Sequence, residues 1–232
     1  MSEILANLSV DGDGDIAVWV VAIGFGLVFL QIASIIIRRR KRRNTIKSLA
    51  NELGFSYSKH EKNLPESFES FTLFLTGRLP SISNCIRGTF DDFMVTVVDY
   101  KYSSGGGGQN SKSKTHRQTV TMISLGEKNI PAFEILPETI FQKVKTAFGS
   151  QDIDFGSHPE FSKKYVVKGS QEDSIRESLS DRFLTSIEKH KGLSIECDGT
   201  NIIFYRRNEL MSPEEIKPFI HWGIRRINEL KS

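Results

Sequence analysis

The chain has 232 residues, of which 38% are hydrophobic, 25% charged and 10% aromatic, with a net charge of +3. These near-average values supply enough apolar side chains for a core and exclude a fully disordered chain, a collagen-like repeat and a multi-span membrane protein. Two cysteines exclude a disulfide-dense scaffold.

The first element is the run from Ile16 to Ile37, 22 residues without a charge. As a helix it spans roughly 33 Å, enough for the hydrocarbon core of a bilayer. Trp19 lies near one end, where an amphipathic ring suits the headgroup region. Arg38, Arg39, Arg40, Lys41, Arg42 and Arg43 follow at once, whereas the residues before them contain no Lys or Arg and carry Glu3, Asp11, Asp13 and Asp15. That asymmetry predicts a single-pass protein with its N-terminus outside and its C-terminal domain in the cytoplasm. A cleaved signal peptide fits poorly, because the flank before the apolar run is acidic and the run is too long. The basic run also suits attraction to anionic lipid. Ala22 and Gly26, four residues apart, allow close helix approach and so a homodimer through the anchor.

Beyond the basic run the balance is 25 Lys+Arg against 24 Asp+Glu. Nucleic acid is therefore not an expected partner, since a nucleic-acid domain concentrates positive charge on one face. The expected organisation is an outer tail (1–15), the membrane helix (16–37), a basic juxtamembrane helix (38–54) and a cytosolic domain (55–232).

Ile46, Leu49, Ala50 and Leu53 continue the helix at helical spacing, and Gly54 is suited to stop it. Phe55–Lys59 reads as a short strand, and Pro65 with Phe68, Phe71, Leu73 and Phe74 as a short helix or turn. Ile82–Phe90 and Phe93–Tyr102 read as a hairpin across Asp91-Asp92. Ser103–Thr115 is a polar glycine-rich loop, His116–Leu125 a strand, and Phe133–Leu136 another. Pro137 opens a helix to about Phe148. Lys164–Lys168 is a strand, and Ser170–Lys189 is helical with a break near Ser178–Ser180. Leu193–Cys197 and Thr200–Arg206 form a hairpin, with Asp198-Gly199 signalling a type I′ turn. Ser212-Pro213-Glu214-Glu215 opens a last helix, which Pro218 should kink or postpone by a turn. The pattern predicts an α+β domain with an antiparallel sheet and packed helices, divisible into two lobes near residues 149–157.

No segment is a catalytic signature. Gly105–Gly108 lacks the GxxxxGK[ST] of a P-loop, and it joins strand to strand rather than strand to helix. Asp11–Asp15 starts like a calcium loop but has Ile16 and Ala22 where Gly and Glu are required. Asn7-Leu8-Ser9 is formally a glycosylation sequon. The densest polar group is Asp152, Asp154, His158 and Glu160, residue types that bind a divalent metal or do acid–base work; the competing reading is a structured connector around buried Ile153, Phe155 and Phe161. His116 and Arg117 read as a strand-edge pair, and Cys85 and Cys197 as reduced core residues.

The anchor with its basic run, LANELGF at Leu49–Phe55, VVDYKY at Val97–Tyr102, HRQTV at His116–Val120 and DIDFGSHPEFSKKY at Asp152–Tyr165 resemble a group of uncharacterised bacterial single-pass membrane proteins, a domain of unknown function. The resemblance implies an inner-membrane protein with a cytosolic domain and transfers no activity, cofactor or catalytic residue. The expected function is a non-enzymatic, membrane-tethered interaction module with the bilayer and a membrane-associated protein as partners. Two alternatives stand beside it: a membrane-anchored hydrolase or metal-dependent enzyme using Asp152–Glu160, and an anionic-lipid sensor.

Overall fold

The computed structural model describes residues 12–63, 65–105, 112–128, 130–140 and 152–231. Residues 1–11, the Trp19 side chain, the centre of the glycine-rich loop and most of the expected Pro137–Phe148 helix lie outside that description. The chain forms two compact units, which divide between Thr45 and Ile46.

One helix, α1 (Gly12–Leu53), runs through the first unit and into the second. It is the one described helix long and apolar enough to cross a membrane, and none of its most apolar stretch is buried. An apolar stripe needs an apolar neighbour; a helix apolar on every face and left bare suits lipid. In the second unit Ile46, Leu49 and Ala50 are buried. The helix ends as its sequence predicts. Gly54 takes φ +69°, the Phe55 N–H donates to the Ala50 carbonyl at 2.8 Å, and the Gly54 N–H donates to Asn51 at 3.2 Å. Those are the two bonds of a Schellman cap.

The second unit is built on a single eight-stranded sheet. Its strands are β1 (Ser56–Glu61), β2 (Arg78–Phe90), β3 (Phe93–Ser104), β4 (Lys114–Ser124), β5 (Phe133–Pro137), β6 (Tyr165–Lys168), β7 (Leu193–Cys197) and β8 (Asn201–Arg206). The order across the sheet is β1-β2-β3-β4-β8-β7-β5-β6, with every neighbouring pair antiparallel. Strands from both sides of residues 149–157 lie in it. The β2–β3 link turns on Asp91 (φ 46°) and Asp92 (φ 66°), and Phe90 pairs with Phe93. Successive left-handed residues are what a tight type I′ hairpin requires, and Asp tolerates that region better than most.

Strand alternation gives the sheet two faces. One carries Ile86, Val95, Val97, Ile123, Ile135, Val167, Ile195 and Phe204, which belong to one core cluster with α1's last turns and the later helices. Those helices are α3 (Pro159–Lys164), α4 (Glu172–Ser178), α5 (Asp181–Glu188) and α6 (Pro213–Glu229). The other face carries Val98, Tyr100, Tyr102, Val120, Met122, Ile203 and Tyr205. It packs with Phe68, Phe71 and Leu73, from a single 3-10 turn and the four-residue α2 (Thr72–Leu75).

Local details differ from the sequence reading in three places. The glycine-rich loop is shorter than Ser103–Thr115, because β3 extends through Ser104 and β4 begins at Lys114. The β7–β8 turn spans Asp198–Thr200 instead of two residues, because the Asp198 carboxylate accepts from the Thr200 and Asn201 amides at 2.9 and 2.7 Å. Helix α6 starts at Pro213 and includes Pro218, so its regular part is not postponed. The expected break near Ser178–Ser180 separates α4 from α5, where the Ser180 hydroxyl caps the Phe183 amide at 3.2 Å.

Candidate functional site

Of the four polar residues singled out from sequence, Asp152 lies close enough to Asp154 for that charge to add to burial in raising its pKa. The Asp152 carboxylate accepts the Val167 amide at 3.1 Å, and burial raises its pKa while that bond lowers it. The Asp154 carbonyl accepts from Arg176. His158 precedes α3, with its Nδ1 3.0 Å from the Ser157 hydroxyl and its Nε2 3.8 Å from Asp181. Glu160 pairs with Lys163 at 2.7 Å, an exposed contact that lowers the carboxyl's pKa. Beside them in sequence, Ile153, Phe155 and Phe161 are all buried. Among the described residues no three His, Cys, Asp or Glu side chains are placed to hold a metal. Cys85 and Cys197 are buried and unpaired, and burial pushes their thiols up to about 11 and about 12, so neither is a ready thiolate.

The sequence reading missed an acidic group on the second sheet face. Alternation in β5–β8 turns Glu134, Lys168, Ser194, Glu196 and Tyr205 to one side. Glu134 lies directly across from Lys168 on β6 and from Glu196 on β7. Glu196 is only 2% exposed. Tyr205 Oη lies 2.8 Å from its Oε1, and the Leu73 amide donates to its Oε2 at 3.3 Å. Burial is the largest influence and the Glu134 charge the next, and together they push the Glu196 carboxyl up to about 8. At neutral pH it is therefore mostly the neutral acid, able to donate one hydrogen bond and accept another. Glu134 accepts from the Thr72 hydroxyl, which ties α2 to the same group. Beside it lies a groove of 310 Å³ lined in part by Glu134, Lys168, Ser170 and Cys197. The arrangement is suited to holding a polar group and to exchanging a proton near neutrality. The signal was present in Leu193–Cys197: an acid at the alternate position of a strand otherwise built for burial.

A second, larger groove of 660 Å³ lies beside the β2–β3 turn and α6. Asp91, Phe93, Lys217, His221, Arg225 and Asn228 line it, mixing both charge signs with an aromatic ring.

No protein-family model matches the chain, and no curated protein matches it. The domain resembles the crystal structure of mycobacterial trehalose monomycolate transport factor A, TtfA, at 12% identity and a TM-score of 0.53. The match covers 82% of this chain and 92% of that one. At that identity the likeness is one of fold. The chain is a single-pass membrane protein with a distant structural relative.

Proposed function

We propose that the protein is a membrane-tethered cytosolic interaction module. The observation that carries this is helix α1, whose apolar stretch is of membrane length and whose last turns supply Ile46, Leu49 and Ala50 to the domain core. A folded domain held in this way meets other membrane components at raised effective concentration. The fold shared with TtfA, by its name a transport factor, is in keeping with work on a partner at a membrane. The outer tail, the membrane helix, the cytosolic domain and the N-terminus-out orientation belong to this proposal, as does anion attraction by Arg38–Arg43.

The α6 groove, with its ring and both charge signs, is the surface we assign to a protein partner. A photo-crosslinking residue replacing Asn228 in the full chain, irradiated in intact membranes, should give one discrete adduct with a membrane-associated protein. Arg225→Glu should abolish that adduct. The absence of any discrete adduct from Asn228, or an adduct indifferent to Arg225→Glu, would overturn the assignment.

A further inference from the structure

At the far end of the β3–β4 pair, three polar side chains from distant parts of the chain are joined in line. Ser104 is the last residue of β3, His116 lies in β4, and Asn208 lies in the turn after β8. Register pairs Ser104 with Lys114 and Tyr102 with His116, which sets Ser104 and His116 on the same face as diagonal neighbours. The Ser104 hydroxyl lies 2.7 Å from His116 Nε2, and His116 Nδ1 lies 2.7 Å from Asn208 Oδ1. An amide oxygen only accepts, so Nδ1 carries the ring proton and Nε2 is left as the acceptor. The Ser104 hydroxyl therefore donates to the imidazole. The ring and its partner are both held in place. Tyr102 stacks on it at 4.7 Å and 17°, and Asn208, at φ 65°, is fixed by its own N–H donating to Gln118 at 3.3 Å. His116 is 4% exposed. Burial lowers its pKa, the Asn208 bond raises it, and the nearby charges of Arg207 and Lys114 lower it, so the base is held in the neutral form.

We propose that Ser104 is an activated nucleophile that accepts acyl groups, with His116 as its general base and Asn208 as the residue that positions the imidazole. This goes beyond the binding reading and does not depend on it. A nucleophile bonded to a base, with the base oriented by a third group, is the arrangement acyl transfer needs. Asn in place of a carboxylate fixes the tautomer but stabilises the imidazolium less. Lys114, directly across from Ser104, brings a positive charge close enough to lower the His116 pKa, and that charge favours an oxyanion there. In the first step Ser104 Oγ bonds to the acyl carbon of an ester or thioester, its proton passes to His116 Nε2, and the bond to the leaving oxygen or sulfur breaks. The imidazolium then returns the proton to the leaving group. In the second step water adds to the acyl-serine, gives its proton to Nε2, and the acyl–Oγ bond breaks as Oγ regains the proton. The overall change is ester or thioester plus water to acid plus alcohol or thiol, with no oxidant or reductant.

The surroundings also suggest the kind of acyl group. Gly77 packs so closely on β3 that a Cβ there would come 2.3 Å from the Tyr102 ring and 2.8 Å from the Ser103 carbonyl. The segment through Gly77 therefore runs beside Tyr102 and Ser103, the residues just before the nucleophile, and it carries Leu75 and Leu79, which are 72% and 78% exposed. Bare leucines on a segment that passes Tyr102 and Ser103 suit an apolar acyl chain at the serine that follows.

The test uses the full chain in nanodiscs and an alkyl fluorophosphonate probe, with the adduct mapped by mass spectrometry. One adduct is expected, at Ser104, absent in Ser104→Ala and formed roughly 100-fold or more slowly in His116→Gln. Octanoyl p-nitrophenyl ester should be hydrolysed faster than the acetyl ester, and Leu79→Asp should narrow that preference. Because His116→Gln removes a buried ring, a second measurement avoids it: the thiol of Ser104→Cys should alkylate with iodoacetamide faster than that of Ser103→Cys. No adduct at Ser104, labelling indifferent to His116→Gln, or equal alkylation at the two positions would overturn the nucleophile. Equal rates on the two esters, or a preference that Leu79→Asp leaves intact, would overturn the apolar acyl group.

Discussion

At the scale of single residues, Glu196 is the most unusual group in the domain. A carboxyl buried beside a second carboxylate is penalised for ionising, and its folded value of about 8 stands well above the ordinary 4.5. Between those values the folded chain holds a proton that the unfolded chain has released. Its contribution to stability is therefore greatest below about pH 4.5 and is lost as pH rises towards about 8, at up to about 1.4 kcal/mol per pH unit. Glutamine at this position is neutral at every pH, and its amide oxygen can accept from the Tyr205 hydroxyl as the carboxyl oxygen does. Glu196→Gln should therefore flatten the pH dependence and exceed the wild type in stability at about pH 8, with little difference near pH 5. Thermal unfolding followed by circular dichroism checks this. A mutant-minus-wild-type difference that does not change with pH would show that Glu196 does not titrate in this window.

At the scale of elements, the join between α1 and the sheet is a close fit. The Schellman cap delivers Phe55 onto β2 opposite Gly88, where a Cβ would lie 2.3, 2.8 and 2.9 Å from three atoms of the Phe55 ring. Phe55 is buried and meets Phe90 edge-on at 6.5 Å, so moving its ring would disturb core packing. Gly88→Ala should therefore cost about 1–3 kcal/mol, read as a lower denaturant midpoint with an unchanged m-value. This join was legible in the sequence: the stripe of Ile46, Leu49, Ala50 and Leu53, the stopping Gly54 and the following strand are all local signals. So were the Asp91-Asp92 hairpin and the interruption before Ser180. The order of the sheet was not. The pairings of β4 with β8 and of β5 with β7 join strands distant in sequence, and alternation in a strand shows which residues share a face without naming the neighbour. The candidate sites divide in the same way. Asp152, Asp154, His158 and Glu160 drew attention because they are close in sequence, yet successive residues of a connector point to different partners. Ser104, His116 and Asn208 are separated by 12 and 92 residues and become neighbours only through the sheet and the turn after β8.

At the scale of the whole molecule, charge and hydropathy are divided along the chain. Four acids and no Lys or Arg precede or enter the apolar run, six cations follow it, and the remaining 189 residues are almost balanced. A balanced domain gives little electrostatic preference for either side of a membrane, so orientation rests on the flanks of the helix. Lys and Arg close to a membrane helix are retained on the cytoplasmic side, while acids contribute little. Arg38–Arg43 should therefore decide the topology almost alone. With the native sequence, a single-cysteine chain (Cys85→Ala, Cys197→Ala and a new cysteine at the exposed Leu210) should resist a membrane-impermeant maleimide in intact cells and react after lysis. Replacing all six cations with Gln and placing three lysines after Met1 should invert the helix, so that a cysteine at Leu210 reacts in intact cells. Labelling of the native-flank chain in intact cells would place the domain outside. Protection that survives the swap of flanks would show that the folded domain, rather than the six cations, sets the orientation.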